Sequence, residues 1–207
     1  MKRDKRILQS LVAAGREAAR RGFVIGEDGN ISLKRGGILY IKRRHVSMGN
    51  AGPSGYVRVD LATGMPLQKA DTPTSELHMH LACYRARKDI AAVIHTHPVF
   101  ATAMSISGAG IKPISYEMSA NIKTPVARIG YIKAGTPELG RAVGLVVKRH
   151  NAVLLKNHGL VTVGRTLDEA FIRTLAVERA VLTYIACKVL GRPGFMRKEE
   201  YLRLFRI

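Results

Sequence analysis

The feature that most constrains this chain is a short apolar run, Ala91-Ala92-Val93-Ile94, leading directly into His95-Thr96-His97-Pro98. Small and branched apolar residues in that order read as a buried strand, and Pro98, lacking a backbone donor, stops the ladder there. Side chains alternate along a strand, so His95 and His97 share a face and their imidazoles can converge on one ion. A second apolar run, Ala152 to Lys156, ends at the Asn157-His158-Gly159 turn and offers His158 as a third nitrogen. Three neutral imidazoles with one open position make a catalytic rather than a structural zinc shell. Upstream, Glu76 puts a carboxylate at the start of a helical stretch that runs towards the same strand.

A length of 207 residues fits one domain spanning 1–207, long enough to bury a substantial core. The 46% hydrophobic content contains no run near the ~18 apolar residues of a membrane span. The basic start, Met1 to Arg6, leads into an amphipathic segment rather than a signal-peptide core, so a cytoplasmic protein is expected. Cys83 and Cys187 lie far apart in no CxxC pattern and are expected as free, buried thiols. With 34 Lys and Arg against 15 Asp and Glu, the net charge is +19. Such a field suits nucleic acid or a small phosphorylated substrate equally. The absence of Trp, the 6% aromatic content and the spread of basic residues without a binding motif argue against specific nucleic-acid recognition.

Along the chain, apolar residues at helical spacing predict a first helix over 4–21, stopped by Gly22. Asn30 to Lys34 and Ile38 to Ile41 around Gly36-Gly37 predict a hairpin, and Tyr56 to Asp60 a further strand. Thr74 or Ser75 is expected to cap the next helix, with Glu76 in its first turn. Pro98 is expected at the first position of a helix reaching about Ser107. Residues 110–135 read as loop and short strands, and Thr136-Pro137-Glu138 as the start of a helix to about Arg149. Strands Ala152 to Lys156 and Leu160 to Val163 precede a long helix from Asp168 to about Leu190, and a short basic helix follows Arg197. Strands in the middle with helices around them predict an α/β domain with a mixed sheet covered by helices.

Taken together, Gly29-Asn30-Ile31-Ser32, Thr74-Ser75-Glu76, the Met79 to Tyr84 segment, Val93 to His97 and Leu154 to Leu160 resemble the class II aldolase and adducin head family. Within it, the likeness is greatest to the fuculose-1-phosphate aldolases, and it covers nearly the whole chain. The resemblance implies a three-layer α/β/α fold on a mainly antiparallel mixed sheet. It implies one Zn2+ per subunit, with another divalent metal able to share the shell, and a homotetramer with active sites between subunits. It assigns His95, His97 and His158 to the metal, and Glu76 both to the metal at rest and to proton abstraction. Tyr116 becomes a proton donor reaching in from the neighbouring subunit, and Gly29, Asn30, Thr74 and Ser75 become part of a phosphate-binding shell. The implied reaction is reversible cleavage of a ketose 1-phosphate to dihydroxyacetone phosphate and an aldehyde. Its negative charge beside a ketone is what a Lewis-acidic metal stabilises, while a carboxylate moves the proton.

One departure stands out. The family's Thr-Pro-Ser/Thr-Gly turn after the second strand is replaced by Ile41-Lys42-Arg43-Arg44-His45. Arginines either substitute as charge-assisted donors or the substrate differs; taken alone, Lys42 to His45 reads as a solvated charge run. The chain also ends soon after Phe205, so the tail that contributes to the family's pocket is expected to be short. A pentulose-phosphate 4-epimerase or a sugar-phosphate dehydratase would use the same metal shell, and an adducin-like binding module would have lost it. His80, four residues after Glu76, is expected to be buried and hydrogen-bonded, His78 exposed, and His45 and His150 to bind nothing.

Overall fold

The computed structural model describes residues 2–203, so Phe205 lies outside the described residues. A first helix, α1 (Lys2–Arg20), is closed off by Gly22 in a left-handed conformation just beyond it, and the hairpin β1 (Asn30–Arg35) and β2 (Ile38–Lys42) follows. Next come β3 (Tyr56–Asp60), α2 (Leu77–Ala86), β4 (Ala92–Thr96) and α3 (Val99–Ser107). The remainder is α4 (Tyr116–Ile122), β5 (Ala127–Ile129), α5 (Pro137–Val147), β6 (Ala152–Leu155), β7 (Gly159–Gly164), α6 (Leu167–Leu190) and α7 (Lys198–Arg203). No described helix is long and apolar enough to cross a membrane.

The strands form one seven-stranded sheet in the order β3-β2-β1-β4-β7-β6-β5, parallel only between β5 and β6. Alternation sorts the core. Val93, Val161 and Val163 join Leu39 and Ile41 on the face covered by α2 and α5, where Met79, Tyr84, Leu139 and Val143 pack. Ala92, Ile94 and Ile31 face α1 and the start of α6, and Ala152, Leu154 and Leu160 face α3, α4 and the rest of α6. Helices on both faces of a mainly antiparallel sheet are the three-layer α/β/α architecture expected from the sequence.

Local chemistry sets the helix starts. Thr136, Thr166 and Ser115 each accept a backbone N–H near the first turn of α5, α6 and α4. Two expected starts move. α2 begins at Leu77, so Glu76 is the N-cap residue rather than part of the first turn, and Thr74 Oγ1 accepts its N–H at 3.4 Å. Pro98 likewise takes the N-cap of α3; the open amides of Phe100 and Ala101 there donate to Glu178 of α6, at 3.0 and 2.7 Å. Within 110–135, expected as loop and short strands, residues 116–122 are helical, because Ser115 caps them with Glu117 in the first turn. Cys83 is buried as expected, whereas Cys187 is only partly so, since it sits near the exposed end of α6.

Candidate metal centre

Three chain segments meet at the end of β4. His95 is the fourth residue of that strand and His97 follows it directly, while His158 sits in the β6–β7 turn, where Asn157 takes a left-handed conformation (φ 57°). β4 and β7 pair in register, with Thr96 opposite Leu160, which brings the turn beside the two strand histidines. The Nε2 atom of His95 lies 3.1 Å from that of His97 and 3.2 Å from that of His158. These separations match the ~3.3 Å edges of a tetrahedral shell with Zn–N bonds of ~2.0 to 2.1 Å. Gly159 makes the approach possible, for a Cβ there would lie 2.5 Å from Thr96 O and 2.6 Å from His97 Cδ2.

The fourth side of the cluster is Glu76. Its Oε2 lies 3.1 Å from His95 Nε2 and accepts from Asn30 Nδ2 at 2.8 Å. Its Oε1 is buried without a hydrogen-bond partner among the described residues, 3.7 Å from His158 Nε2. An orphaned carboxylate oxygen beside three converging imidazole nitrogens is the donor set of a divalent metal site. Two of the three imidazoles are held neutral, whereas at His95 burial is outweighed by Glu76 and Leu160 O, which raise its pKa, so an ion would take the place of its Nε2 proton. Burial, reinforced by the neighbouring His95, pushes His97 down to about 3 and His158 to about 4, which leaves both neutral and able to ligate. Burial works against the charged Glu76, but His95 and the Asn30 amide outweigh it and hold the carboxyl well below the usual range. His95 Nδ1 lies 3.1 Å from Leu160 O; donating there leaves its Nε2 free for an ion.

The other expected site residues divide. Gly29 takes φ +64°, and a Cβ there would meet Val24 at 2.6 Å and His95 O at 2.8 Å. Thr74 is buried next to Glu76, and Ser75 is exposed beside it. Asn30 is 3% exposed, with its amide committed to Glu76 on one side and His80 on the other. Tyr116 opens α4 with 62% of its surface exposed, on the outside of the chain.

The Lys42 to His45 turn is not a uniformly solvated run. Lys42 is buried at 2% exposure and donates to Glu27 O and Val46 O at 2.6 and 2.7 Å. It fastens the Gly26–Asn30 loop to the turn after β2, because it has the length to thread between two carbonyls whose charge complementarity replaces water. Arg43 is tied to Asp71 at 2.7 Å, and His45 bonds Glu27 at 2.9 Å. Arg44 alone extends its side chain into solvent without a partner among the described residues, while its N–H donates to Thr72 O. His78 is exposed and His80 fully buried, as expected; His150 bonds Pro125 O. The buried role of Lys42 and the capping role of Glu178 were not anticipated from sequence; the only signal was a lysine directly after three apolar strand residues, Leu39, Tyr40 and Ile41.

With this geometry in view, the relatives are informative. Residues 9–185 match the model of the class II aldolase and adducin N-terminal domain, and the chain belongs to that family. An L-fuculose phosphate aldolase of Methanococcus maripaludis is 35% identical over 166 residues, covering 80% of this chain and 89% of that protein. A 5-methylthioribulose-1-phosphate/5-deoxyribulose-1-phosphate aldolase of Escherichia coli is 30% identical over 182 residues, covering 88% of this chain and 84% of that one. A solved L-fuculose 1-phosphate aldolase superposes with a TM-score of 0.86 at 29% identity, over 96% of this chain and 93% of its own.

Proposed function

We propose that this chain is a metal-dependent aldehyde-lyase that reversibly cleaves a ketose 1-phosphate, such as L-fuculose 1-phosphate, into dihydroxyacetone phosphate and an aldehyde. The observation that carries this reading is the convergence of the His95, His97 and His158 Nε2 atoms beside the unpartnered Oε1 of Glu76. The solved L-fuculose 1-phosphate aldolase and the Escherichia coli aldolase similar to it, which differ in the sugar they are named for, share the 1-phosphate of a ketose.

His95, His97 and His158 would hold Zn2+, with Glu76 as a further ligand at rest; the ion supplies Lewis-acid stabilisation of the charge that develops at the substrate's ketone oxygen. The rest falls to the chain's own groups. In the direction of synthesis, Glu76 takes a proton from the carbon beside the ketone of dihydroxyacetone phosphate. Its burial and its anchoring at Oε2 set the position of Oε1 for that transfer. As the new carbon–carbon bond forms, the aldehyde oxygen takes a proton from Tyr116 of a neighbouring copy, a reading supported by the exposure of that side chain. Cleavage is the same path reversed. The Gly29 backbone with Thr74 and Ser75 holds the phosphate, and Arg44 adds a charge-assisted donor in place of the family's hydroxyl turn. In this reading residues 1–207 form one catalytic domain of a cytoplasmic homotetramer.

Elemental analysis of the purified protein and of His95→Ala, followed by cleavage assays on L-fuculose 1-phosphate and 5-deoxyribulose 1-phosphate, tests the proposal. A single zinc per chain, absent from the variant, with aldehyde release lost in Glu76→Gln, is expected. Metal-loaded Glu76→Gln that cleaves at the wild-type rate would overturn the assigned base.

A further inference from the structure

Helix α2 and strand β1 are joined by a buried, alternating run of polar side chains. Along α2, the N-cap residue Glu76 and the helical His80 and Tyr84 follow at intervals of four residues and so share one stripe, with a rise of ~6 Å per step. On β1, Asn30 and Ser32 are two residues apart on one face, with a spacing of ~6.7 Å. The two periods nearly match, so the side chains interleave. Glu76 Oε2 meets Asn30 Nδ2 at 2.8 Å, Asn30 Oδ1 meets His80 Nε2 at 2.5 Å, His80 Nδ1 meets Ser32 Oγ at 2.6 Å, and Ser32 Oγ meets Tyr84 OH at 2.8 Å. Asn30, Ser32, His80 and Tyr84 are each no more than 3% exposed.

From Glu76 as far as His80, the direction of each hydrogen bond is determined from one end. An ionised carboxylate only accepts, so Asn30 must present its NH2 to Glu76 and its carbonyl oxygen to His80. His80 therefore carries its proton on Nε2, and its bare Nδ1 accepts from Ser32 O–H. Ser32 Oγ can then accept from Tyr84, whose hydroxyl also lies 3.1 Å from Ser32 O and 3.4 Å from Ala91 O. We propose that His80 is a positioning residue for Glu76: its Nε2–H holds the Asn30 amide in the one orientation that donates to the carboxylate, while its Nδ1 accepts from Ser32. This rests on the reading of Glu76 as the proton-transferring base.

A purely space-filling His80 would need no particular tautomer. Without the Nε2 donor, however, Asn30 Oδ1 is buried and unpaired, and a half-turn of the amide sets two acceptors against each other at Glu76 Oε2. The carboxylate then loses the anchor that aims Oε1. Full burial of His80 agrees with a neutral ring, pushing it down to about 3.

The tautomer is read directly by imidazole 15N NMR on the wild-type protein, with the His80 signals assigned by their absence in His80→Gln. A neutral Nε2–H form is expected; an Nδ1–H or doubly protonated ring would overturn the proposal, and this measurement needs no destabilised variant. Kinetics on the metal-loaded protein supply the second readout. His80→Leu is expected to lower kcat about tenfold or more, with KM within about twofold and metal content unchanged. His80→Gln, which keeps an N–H directed at Asn30, is expected to stay within about threefold of wild type. Wild-type kcat in His80→Leu, or equal impairment of both variants, would overturn the positioning role. Glu76→Gln measured alongside separates the two ideas. Retained cleavage there overturns the base itself, whereas its loss together with an unimpaired His80→Leu overturns only the role of His80.

Discussion

Asn30 and His95 are register partners across the antiparallel β1–β4 pair, and both reach the same oxygen, Glu76 Oε2, at 2.8 and 3.1 Å. In the metal-free chain, with His95 Nε2 protonated, one carboxylate is thus clamped by two strands at once, while its other oxygen is left open to the cluster. The placement of that open oxygen is what the proposed chemistry requires, and the following expectations test how it is built.

Gly159→Ala should loosen the centre without replacing a ligand. The added methyl would lie 2.5 Å from Thr96 O and 2.6 Å from the His97 ring, and neither backbone nor ring can yield without moving a nitrogen. A loss of about 10- to 100-fold in metal affinity is expected, with destabilisation of about 1 to 3 kcal/mol. Competition with a chelator and thermal denaturation would measure these; unchanged metal affinity would show that the turn is not under steric control.

Lys42→Met removes two buried hydrogen bonds, to Glu27 O and Val46 O. Burial lowers the lysine pKa, so part of what those bonds contribute is offset by desolvation of the ammonium. A net loss of about 1 to 3 kcal/mol is expected. The carbonyl of Glu27 belongs to the loop that carries Gly29, so substrate KM should rise as well. A Tm equal to that of the wild type would contradict the fastening role.

Arg44→Ala should act on binding alone. Lys42 and Arg43 are committed to internal partners, which leaves Arg44 as the turn's free cation among the described residues. KM for a ketose 1-phosphate is expected to rise about tenfold, a value in keeping with loss of one charge-assisted hydrogen bond of ~1.5 kcal/mol, with kcat unchanged. Equal effects on kcat and kcat/KM would move Arg44 from binding to the transition state.

Acid should weaken the metal-free protein in a window set partly by His80. Its folded pKa, pushed down to about 3 by burial, lies below the ordinary 6.5, so the unfolded chain takes up a proton that the folded one refuses. This contribution to stability is intact above about pH 6.5 and falls as pH drops towards the folded value, reaching a loss of about 2 kcal/mol at pH 5. Glu76 favours and His95 opposes protonation of the ring, and His95, whose own pKa is raised, works against the acid loss. Comparing Tm against pH for wild type and His80→Gln cancels those shared terms. Parallel curves between pH 5 and 7 would rule out a neutral, buried His80.

Much of this molecule is legible in the linear chain because its strands and helices are short, strongly patterned and bounded by Gly, Pro and capping residues. Ala91 to Ile94 running into His95 and His97 implies a buried strand with two imidazoles on one side, since alternation is a property of the backbone itself. The Thr136 and Thr166 caps follow from local hydrogen bonding, which needs nothing distant. Sequence pattern did not show that residues 116–122 are helical, because the Ser115 cap is a weak signal by itself and seven residues with little periodicity also need the packing of Met118 and Ile122 under α6. It also placed Lys42 in solvent, since charge in a linear pattern carries no information about carbonyls fifteen residues upstream.

What the sequence determined by itself is the inventory: which donors exist, which strands present them and in what order along the chain. Only the tertiary structure decided that His158 falls beside His95, that Asn30 serves Glu76, and that α2 and β1 interleave their polar residues. Those relationships depend on strand order and register, which are set by how distant apolar faces pack together, and hydrogen-bond direction then follows from the neighbours that packing supplies.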